Sequence, residues 1–191
     1  MSATILLLAA GASSRMRGAD KLLEEVGDQP LLRVMAARCA KAGRLRAVLP
    51  EGNADRAEAL DGLEAEIVTV PAGCDMSASL RAGVAGLTGP VLVVLADMPE
   101  VTAHDMHLML ALSAQAPGAI LRAADRDGTP GNPVLFPAPL LPDLQRIKGD
   151  KGARDLLRRH AGKVHLIPLP EAHALTDLDT PEDWAAWRAR R

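Results

Sequence analysis

Residues 4–21 read TILLLAAGASSRMRGADK, an apolar run that ends in a loop of small residues. The apolar residues fall on consecutive positions rather than on alternate ones. This pattern is typical of a strand that is buried on both faces of a parallel sheet. Six further β-rich runs follow along the chain, and several share this character. The predicted strands are Thr4–Ala9, Arg46–Leu49, Ile67–Val70, Val91–Leu95, Ile120–Ala123, Val134–Phe136 and Val164–Ile167.

Helical patterns lie between most of these strands. The predicted helices are Leu31–Ala42, Ala54–Leu60, Ala78–Leu87, Ala103–Ala116, Ala153–His160 and Pro181–Arg190. The alternation predicts right-handed βαβ units and an α/β fold, a Rossmann-like three-layer sandwich around a mostly parallel sheet. No linker or repeat interrupts the pattern, so we expect a single domain over residues 1–191. Residues 125–151 are less regular and rich in glycine and proline, and we expect them to cover a site rather than to form core.

The composition argues against several classes of protein. The 191 residues carry a formal net charge of −2, which disfavours a broad basic surface for nucleic acid. Aromatic residues make up 2%, too few for the stacking platforms of a single-strand binder. Cys39 and Cys74 are the two cysteines, so neither a disulfide scaffold nor a zinc site is expected. The first apolar run is too short to span a membrane, and we expect a cytoplasmic protein with reduced thiols.

The first loop, residues 9–21, combines the features that a triphosphate needs. Its small residues let backbone N–H groups approach an anion closely. Arg15 and Lys21 add positive charge, and Ser13 and Ser14 can donate further hydrogen bonds. Neither a Walker A motif nor a Gly-x-Gly-x-x-Gly fingerprint is present. The alternative is an ordinary glycine turn with two solvated basic side chains.

The stretch LAAGASSRMRGADKLL, residues 8–23, resembles the signature LAAGxSxRMGxxxKLL of the molybdenum cofactor nucleotidyltransferase family. The resemblance implies a fold like that of the nucleotide-diphospho-sugar transferases and a first loop that wraps the triphosphate. Arg17 stands where the family usually has glycine, and it would either crowd the loop or add a phosphate contact. The Leu-Ala-Ala-Gly form is similar to molybdopterin cytidylyltransferases, whereas the related guanylyltransferases usually read Leu-Ala-Gly-Gly. The nucleotide-binding residues that the resemblance implies in this loop are Leu8, Ala9, Ala10, Gly11, Ser13, Arg15 and Lys21.

Asp97 directly follows the apolar run Val91–Leu95, so its carboxylate is expected at the carboxyl edge of the sheet. A carboxylate there can hold Mg²⁺ against phosphate oxygens, with waters in the remaining positions. The alternative is that Asp97 caps the next turn or helix. The similar Asp-Met-Pro of the family favours the metal ligand.

A second acidic cluster occupies residues 176–183, TDLDTPED. If the segment is extended, Asp177 and Asp179 point the same way. The family carries a similar run in which the first aspartate often binds metal, which implies that Asp177 shares Mg²⁺ with Asp97. We expect Asp179 to cap the following helix instead. A purely structural role for Asp177 is the alternative.

Three other stretches resemble family segments, one that contacts the base and two that line the pocket of the second substrate. Ser77 and Ser79 stand at a predicted helix start and would bind the pyrimidine or its ribose, with helix capping by Ser77 as the alternative. By resemblance, the residues of the acceptor pocket are Gly131, Asn132, Asp150, Gly152, Ala153 and Arg154. Asn132 stands where the family often has histidine, so proton transfer at that position is in doubt. A glycine turn is the alternative for these loops.

The resemblance implies a reaction and its partners. A CMP group would pass from CTP to the terminal phosphate of a molybdopterin cofactor, with Mg²⁺ bound and pyrophosphate released. Arg15, Lys21 and Asp97 would carry the catalysis by positioning and charge neutralisation. A molybdoenzyme or its chaperone would receive the product, and no nucleic acid or membrane partner is implied. The alternatives are GTP as donor, a sugar or alcohol phosphate as acceptor, or a non-catalytic cofactor-binding chaperone.

Overall fold

A computed structural model describes residues 3–149 and 152–191. Its centre is a seven-stranded sheet, and a short hairpin lies beside it. The strands are β1 Thr4–Leu8, β2 Glu25–Val26, β3 Gln29–Pro30, β4 Arg44–Pro50, β5 Ala65–Val70, β6 Val91–Leu95, β7 Ile120–Ala124, β8 Pro130–Phe136 and β9 Val164–Pro168. The sheet order is β5-β4-β1-β6-β8-β7-β9, and β8 alone runs antiparallel to its neighbours within it. The mostly parallel sheet that the sequence predicted is confirmed.

Helices cover both faces of this sheet. They are α1 Leu31–Ala42, α2 Ala54–Glu58, α3 Met76–Val84, α4 Ala103–Gln115, α5 Leu141–Leu144, α6 Gly152–Arg159 and α7 Pro181–Arg188. Alternate residues of β1 show the two layers: Ile5 and Leu7 pack into a core with α1, α4 and α7, whereas Leu6 packs into a second core with α3 and α5. Burial on both faces explains the consecutive apolar residues of the strands, and the three-layer sandwich is confirmed.

The expectation for residues 125–151 was wrong in part. The segment contributes β8, a central strand of the sheet, and the short helix α5. Phe136 is 2% exposed and Leu144 is fully buried, so both belong to the core. The abundance of glycine and proline concealed this core, because those residues mark loops in most sequences.

Helix α3 begins at Met76 rather than at the predicted Ala78. Asp75 provides the reason, since its side chain accepts a hydrogen bond from the Ala78 N–H at 2.6 Å and so caps the helix two residues earlier.

The parallel strands β1, β4, β5 and β6 end at the same edge of the sheet. The loops that follow them therefore lie side by side, which is where open α/β sheets bind ligands. Within the described residues, no helix is both long enough and apolar enough to cross a bilayer.

Candidate functional site

A cleft of about 510 Å³ opens beyond the carboxyl ends of β1 and β6. The first loop forms one wall, and residues after β5, β6 and β9, together with Arg154 of α6, form the others. The sequence-predicted residues that line it are Leu8, Ala9, Ala10, Gly11, Ser13, Arg15, Lys21, Ser79, Asp97, Arg154 and Asp177. Residues that lie far apart in sequence thus share one cavity, although their individual roles stay predictions.

The first loop has a defined backbone shape. Ser13 and Arg17 both adopt left-handed backbone angles, with φ of 49° and 53°, and flank a short 3-10 helix at Ser14–Met16. The Met16 side chain is buried in the core and anchors this turn. Gly18, at φ 104°, completes the reversal, which a residue with a Cβ would adopt only with strain. The loop therefore folds back on itself and brings Lys21 beside the end of β1.

Arg17 does not crowd the loop. Its guanidinium leaves the surface of the loop and pairs with Glu182 of α7 at 2.6 Å, and both side chains are exposed. Arg17, which stands where the family usually has glycine, thus makes its contact outside the cleft.

Lys21 is the centre of the charge network in the cleft. Its ammonium donates to Asp97 Oδ2 at 2.5 Å and to Asp179 Oδ1 at 2.6 Å, while its side chain is only 12% exposed. Arg15 completes the network by pairing with the other oxygen of Asp179 at 2.6 Å. Burial acts to lower the pKa of Lys21, but the charges and hydrogen bonds of Asp97 and Asp179 outweigh it and raise that pKa. Lys21 is therefore a permanent cation in this cleft.

The two acidic segments are joined by backbone. The Leu178 N–H donates to the Asp97 carbonyl at 3.0 Å, and the Leu178 side chain is buried. Asp177 and Asp179 flank Leu178 and line the same cleft, as the extended segment predicted. Partial desolvation and the negative charges of Asp179 and Asp97 raise the pKa of Asp177.

The expected role of Asp179 was wrong. The cap of α7 is Thr180, whose side chain accepts from the Asp183 N–H at 3.1 Å, while the Asp183 carboxylate accepts from the Thr180 N–H at 2.8 Å. The Asp179 carboxylate instead forms ion pairs with Lys21 and Arg15. Asp97 does not act as a cap either, because the next helix begins after Thr102 and its capping box with Asp105.

The residues of the cleft fit a hard divalent cation. Asp97 Oδ1 is buried and has no hydrogen-bond partner in the described residues, which leaves an oxygen ligand unused. Asp177 adds a carboxylate whose charge is disfavoured where it stands. No group of three or more His, Cys, Asp or Glu side chains arranged to hold a metal occurs in residues 3–149 and 152–191. One or two carboxylates suffice for Mg²⁺, because it keeps waters and phosphate oxygens as its other ligands.

The two serines after β5 differ in placement. Ser79 lines the cleft, and its hydroxyl lies 3.4 Å from the Cys74 thiol. Ser77 is buried and donates to the Gly149 carbonyl, so it ties α3 to the loop that precedes α6. Helix capping by Ser77 is replaced by capping by Asp75.

Of the predicted acceptor residues, Arg154 lines the cleft from the first turn of α6, and Ala153 is partly buried behind it. Gly131 and Asn132 are not part of the described lining of the cleft. The Asn132 N–H donates to the Ala174 carbonyl at 2.9 Å, and a Cβ on Gly131 would lie 1.9 Å from the same oxygen. Gly152 begins α6, and Asp150 lies outside the described residues.

Sequence reasoning missed Arg56, which lies in α2 behind the first loop. Its guanidinium is 3% exposed and forms a two-pronged ion pair with Asp20, at 2.7 and 2.8 Å. Burial raises the pKa of Asp20, but hydrogen bonds from Arg56, the Leu22 N–H and Ser13, with the charge of Arg56, bring it below its ordinary value. Its position in the sequence could have indicated Arg56, because it follows β4 at the edge of the sheet where ligands bind.

Comparisons with known proteins identify the family of this chain. The profile of the MobA-like NTP transferase domain matches residues 5–164. The chain belongs to this family. A MobA-like NTP transferase domain is a nucleotidyltransferase, so the family resemblance of the first loop is confirmed.

Relatives of this MobA-like domain extend the comparison. PucB, a purine catabolism protein of Bacillus subtilis (strain 168), is 30% identical over 97 residues, which are 49% of this chain and 44% of PucB. The match thus spans less than half of the length of PucB. The crystal structure of Rv0371c from Mycobacterium tuberculosis H37Rv has a TM-score of 0.83 at 27% identity and covers 97% of each chain. A complex of Rv0371c with manganese has a TM-score of 0.81 at 24% identity, again over 97% of each chain.

A third relative shares the fold of the MobA-like domain at low identity. Molybdopterin-guanine dinucleotide biosynthesis protein A from Archaeoglobus fulgidus has a TM-score of 0.69 at 16% identity and covers 98% of this chain and 100% of its own. At this identity the likeness concerns the fold alone.

Proposed function

We propose that this nucleotidyltransferase moves a CMP group from CTP to the terminal phosphate of a molybdopterin cofactor and releases pyrophosphate. The observation that carries the proposal is the convergence of Arg15, Lys21 and Asp97 on one cleft, beside the small residues of the first loop. Two cations and a wall of backbone N–H groups suit a polyphosphate, which is a tetra-anion near neutral pH.

The proposed chemistry needs little proton transfer. The acceptor phosphate oxygen attacks the α-phosphorus of CTP, the new P–O bond forms, and the bond to the β-phosphate breaks so that its electrons leave with pyrophosphate. Lys21 and Arg15 stabilise the charge that develops on pyrophosphate. Because the attacking oxygen is already ionised near neutral pH, catalysis is mainly positioning and neutralisation.

We propose that Mg²⁺ is held by Asp97 and Asp177. Bound there, it would act as a Lewis acid on the phosphate oxygens. The unpartnered Oδ1 of Asp97 and the raised pKa of Asp177 support this pair.

We propose that the acceptor binds on the side of the cleft where α6 begins. Arg154 lines this side, and burial together with the nearby charge of Arg154 lowers the pKa of Arg122 on β7. Arg122 also donates to the Gly131 carbonyl at 3.0 Å, which links the two predicted acceptor segments. The positive charges of these two arginines would favour an anion such as a terminal phosphate on this side of the cleft.

The Leu-Ala-Ala-Gly form at residues 8–11 supports a pyrimidine nucleotide, and Ser79 at the wall of the cleft has a hydroxyl that could bond the pyrimidine or its ribose. GTP as donor and a sugar or alcohol phosphate as acceptor are the nearest alternatives, since the same cleft would serve them. A non-catalytic cofactor-binding chaperone is disfavoured, because Arg17 leaves the cleft free. We place the reaction in the cytoplasm, where the thiol of Cys74 stays reduced.

Incubation of the protein with molybdopterin and each of CTP, GTP and ATP, followed by mass spectrometry, tests the proposal. A molybdopterin cytosine dinucleotide formed with CTP and Mg²⁺ is the expected product, accompanied by pyrophosphate. Formation of the guanine dinucleotide instead would show that GTP, and not CTP, is the donor. If no dinucleotide forms and the protein binds molybdopterin but no nucleotide, the protein is a non-catalytic cofactor-binding chaperone and the proposed transfer is wrong.

A further inference from the structure

Arg56 occupies an unusual position for an arginine in a short polar helix. Asn53 caps α2, and its side chain accepts from the Arg56 N–H at 2.9 Å. This cap fixes Arg56 in the first turn of the helix. The side chain then turns away from solvent and lies behind the first loop, where it is almost completely buried.

The guanidinium binds the backbone of the first loop as well as Asp20. It donates to the Ala9 carbonyl at 2.6 Å, to the Gly11 carbonyl at 2.9 Å and to Ser13 Oγ at 3.2 Å. Ser13 in turn donates to Asp20 and accepts from the Lys21 N–H. One side chain thus joins the beginning of the loop to its end, on either side of the cleft-facing segment.

These contacts determine which way the peptide groups face. The peptide bonds after Ala9 and Gly11 are trans, so each carbonyl and the following N–H point in opposite directions. Because both carbonyls point at Arg56, the N–H groups of Ala10 and Ala12 point away from it, and both residues line the cleft.

We propose that Arg56 is a positioning residue for the phosphates of the nucleotide, because it turns the N–H groups of Ala10 and Ala12 toward them. The inference rests on the proposed function, since it needs a polyphosphate in the cleft. Arg56 acts through the loop backbone and does not touch the ligand. Its planar fork serves two carbonyls and a carboxylate at once, which a lysine ammonium at the same place cannot do.

Arg46 is a matched control. It is also a buried arginine, 7% exposed, that donates to two backbone carbonyls, those of Gly83 at 2.9 Å and Ala85 at 2.7 Å, and pairs with Glu66 at 2.7 Å. It lies near the amino end of β4, whereas the cleft lies at the carboxyl end. Arg46→Lys therefore reports the general cost of replacing a buried arginine fork.

The experiment compares wild type, Arg56→Lys and Arg46→Lys. Calorimetry measures binding of inorganic tripolyphosphate, which isolates the phosphate contacts from the base, and steady-state kinetics give KM for CTP and kcat. We expect Arg56→Lys to weaken tripolyphosphate and raise KM by roughly tenfold to a hundredfold, with a smaller change in kcat. Arg46→Lys should leave the tripolyphosphate affinity and the KM for CTP within about twofold of wild type. It should lower the melting temperature about as much as Arg56→Lys does.

Tripolyphosphate affinity in Arg56→Lys within twofold of wild type would overturn the inference, as would an equal loss in Arg46→Lys. If Arg56→Lys does not fold, Asp20→Asn removes the carboxylate that holds the fork, and the same weakening is expected. Unchanged affinity in Asp20→Asn then overturns the inference. A wild type that binds neither tripolyphosphate nor any nucleoside triphosphate overturns the proposed function and this inference together. If the wild type binds nucleoside triphosphates but transfers nothing to molybdopterin, only the proposed acceptor is wrong. The contrast between Arg56→Lys and Arg46→Lys then still decides the inference.

Discussion

The ammonium of Lys21 lies 2.5 Å from Asp97 Oδ2, an oxygen of the carboxylate that we propose as a metal ligand. Asp179 holds the same ammonium from another side, at 2.6 Å. Lys21 therefore neutralises the predicted metal ligand in the nucleotide-free protein. A triphosphate would offer Lys21 a stronger anionic partner, and on the proposed function we expect its binding to release Asp97 Oδ2 for a metal. Nucleotide and metal should consequently bind with positive cooperativity.

Lys21→Met should shift metal and nucleotide affinity in opposite directions. Without the competing ammonium, nucleotide-free protein should bind Mn²⁺ about tenfold more tightly, while affinity for CTP falls. Electron paramagnetic resonance of Mn²⁺ measures the first quantity and calorimetry the second. Lys41→Met, at an exposed position on α1, is the control. Unchanged or weaker Mn²⁺ binding in Lys21→Met would contradict the competition.

Asp97→Asn should abolish most of the metal-dependent activity and leave the protein folded. The amide keeps the size of the side chain but loses the charge and one oxygen ligand, so we expect pyrophosphate release to fall by roughly a hundredfold or more. A coupled pyrophosphate assay across a Mg²⁺ titration measures the loss, and circular dichroism checks the fold. Asp61→Asn, at an exposed position outside the cleft, should retain full activity. Full activity in Asp97→Asn would remove the metal assignment.

Residues with a local signature were the ones that sequence could place. A strand buried on both faces is indicated by the consecutive apolar residues Ile5, Leu6 and Leu7. All seven predicted strands correspond to strands of the sheet. Asp97 was found because it follows such a strand directly. The pairing of Asp179 with Lys21 joins positions 158 residues apart, and no local pattern encodes it. Arg56 was missed because an arginine in a short polar helix usually reaches into solvent.

Asp20→Asn should destabilise the protein in a pH-dependent manner. The pKa of Asp20 is lower in the folded protein than its ordinary value of 3.8, so its ionised form stabilises the fold above that pH. This contribution disappears as the pH falls through the folded pKa. Asp20→Asn should therefore melt at a lower temperature than wild type at pH 7, and the difference should shrink as the pH is lowered below 4. Melting curves between pH 3 and pH 7 test this, and a difference independent of pH would contradict it.

Arg17→Gly and Arg17→Ala separate backbone strain from the exposed ion pair with Glu182. Position 17 has a φ of 53°, which glycine adopts without strain and alanine does not. Both variants lose the ion pair, so we expect Arg17→Ala to be less stable than Arg17→Gly by about 1 kcal/mol. Urea unfolding measures the difference. Because Arg17 lies outside the cleft, KM for CTP should stay within about twofold of wild type in Arg17→Gly, and a large increase would show that the guanidinium reaches the phosphates.

Gly131→Ala should damage the cleft from a distance. A Cβ at position 131 would lie 1.9 Å from the backbone oxygen of Ala174, three residues before Asp177, so we expect the clash to displace the segment that carries Asp177 and Asp179. We expect a loss of about 1–3 kcal/mol in stability from this overpacking, together with weaker Mn²⁺ binding in the presence of CTP. Gly83→Ala is the control, because its Cβ would press on the Leu6 side chain 2.6 Å away, within the core. It should destabilise comparably and leave Mn²⁺ affinity near that of wild type. Equal Mn²⁺ affinity in the two variants would mean that Gly131 does not position the acidic segment, and a selective loss of molybdopterin binding in Gly131→Ala would favour the acceptor role that the family resemblance implies.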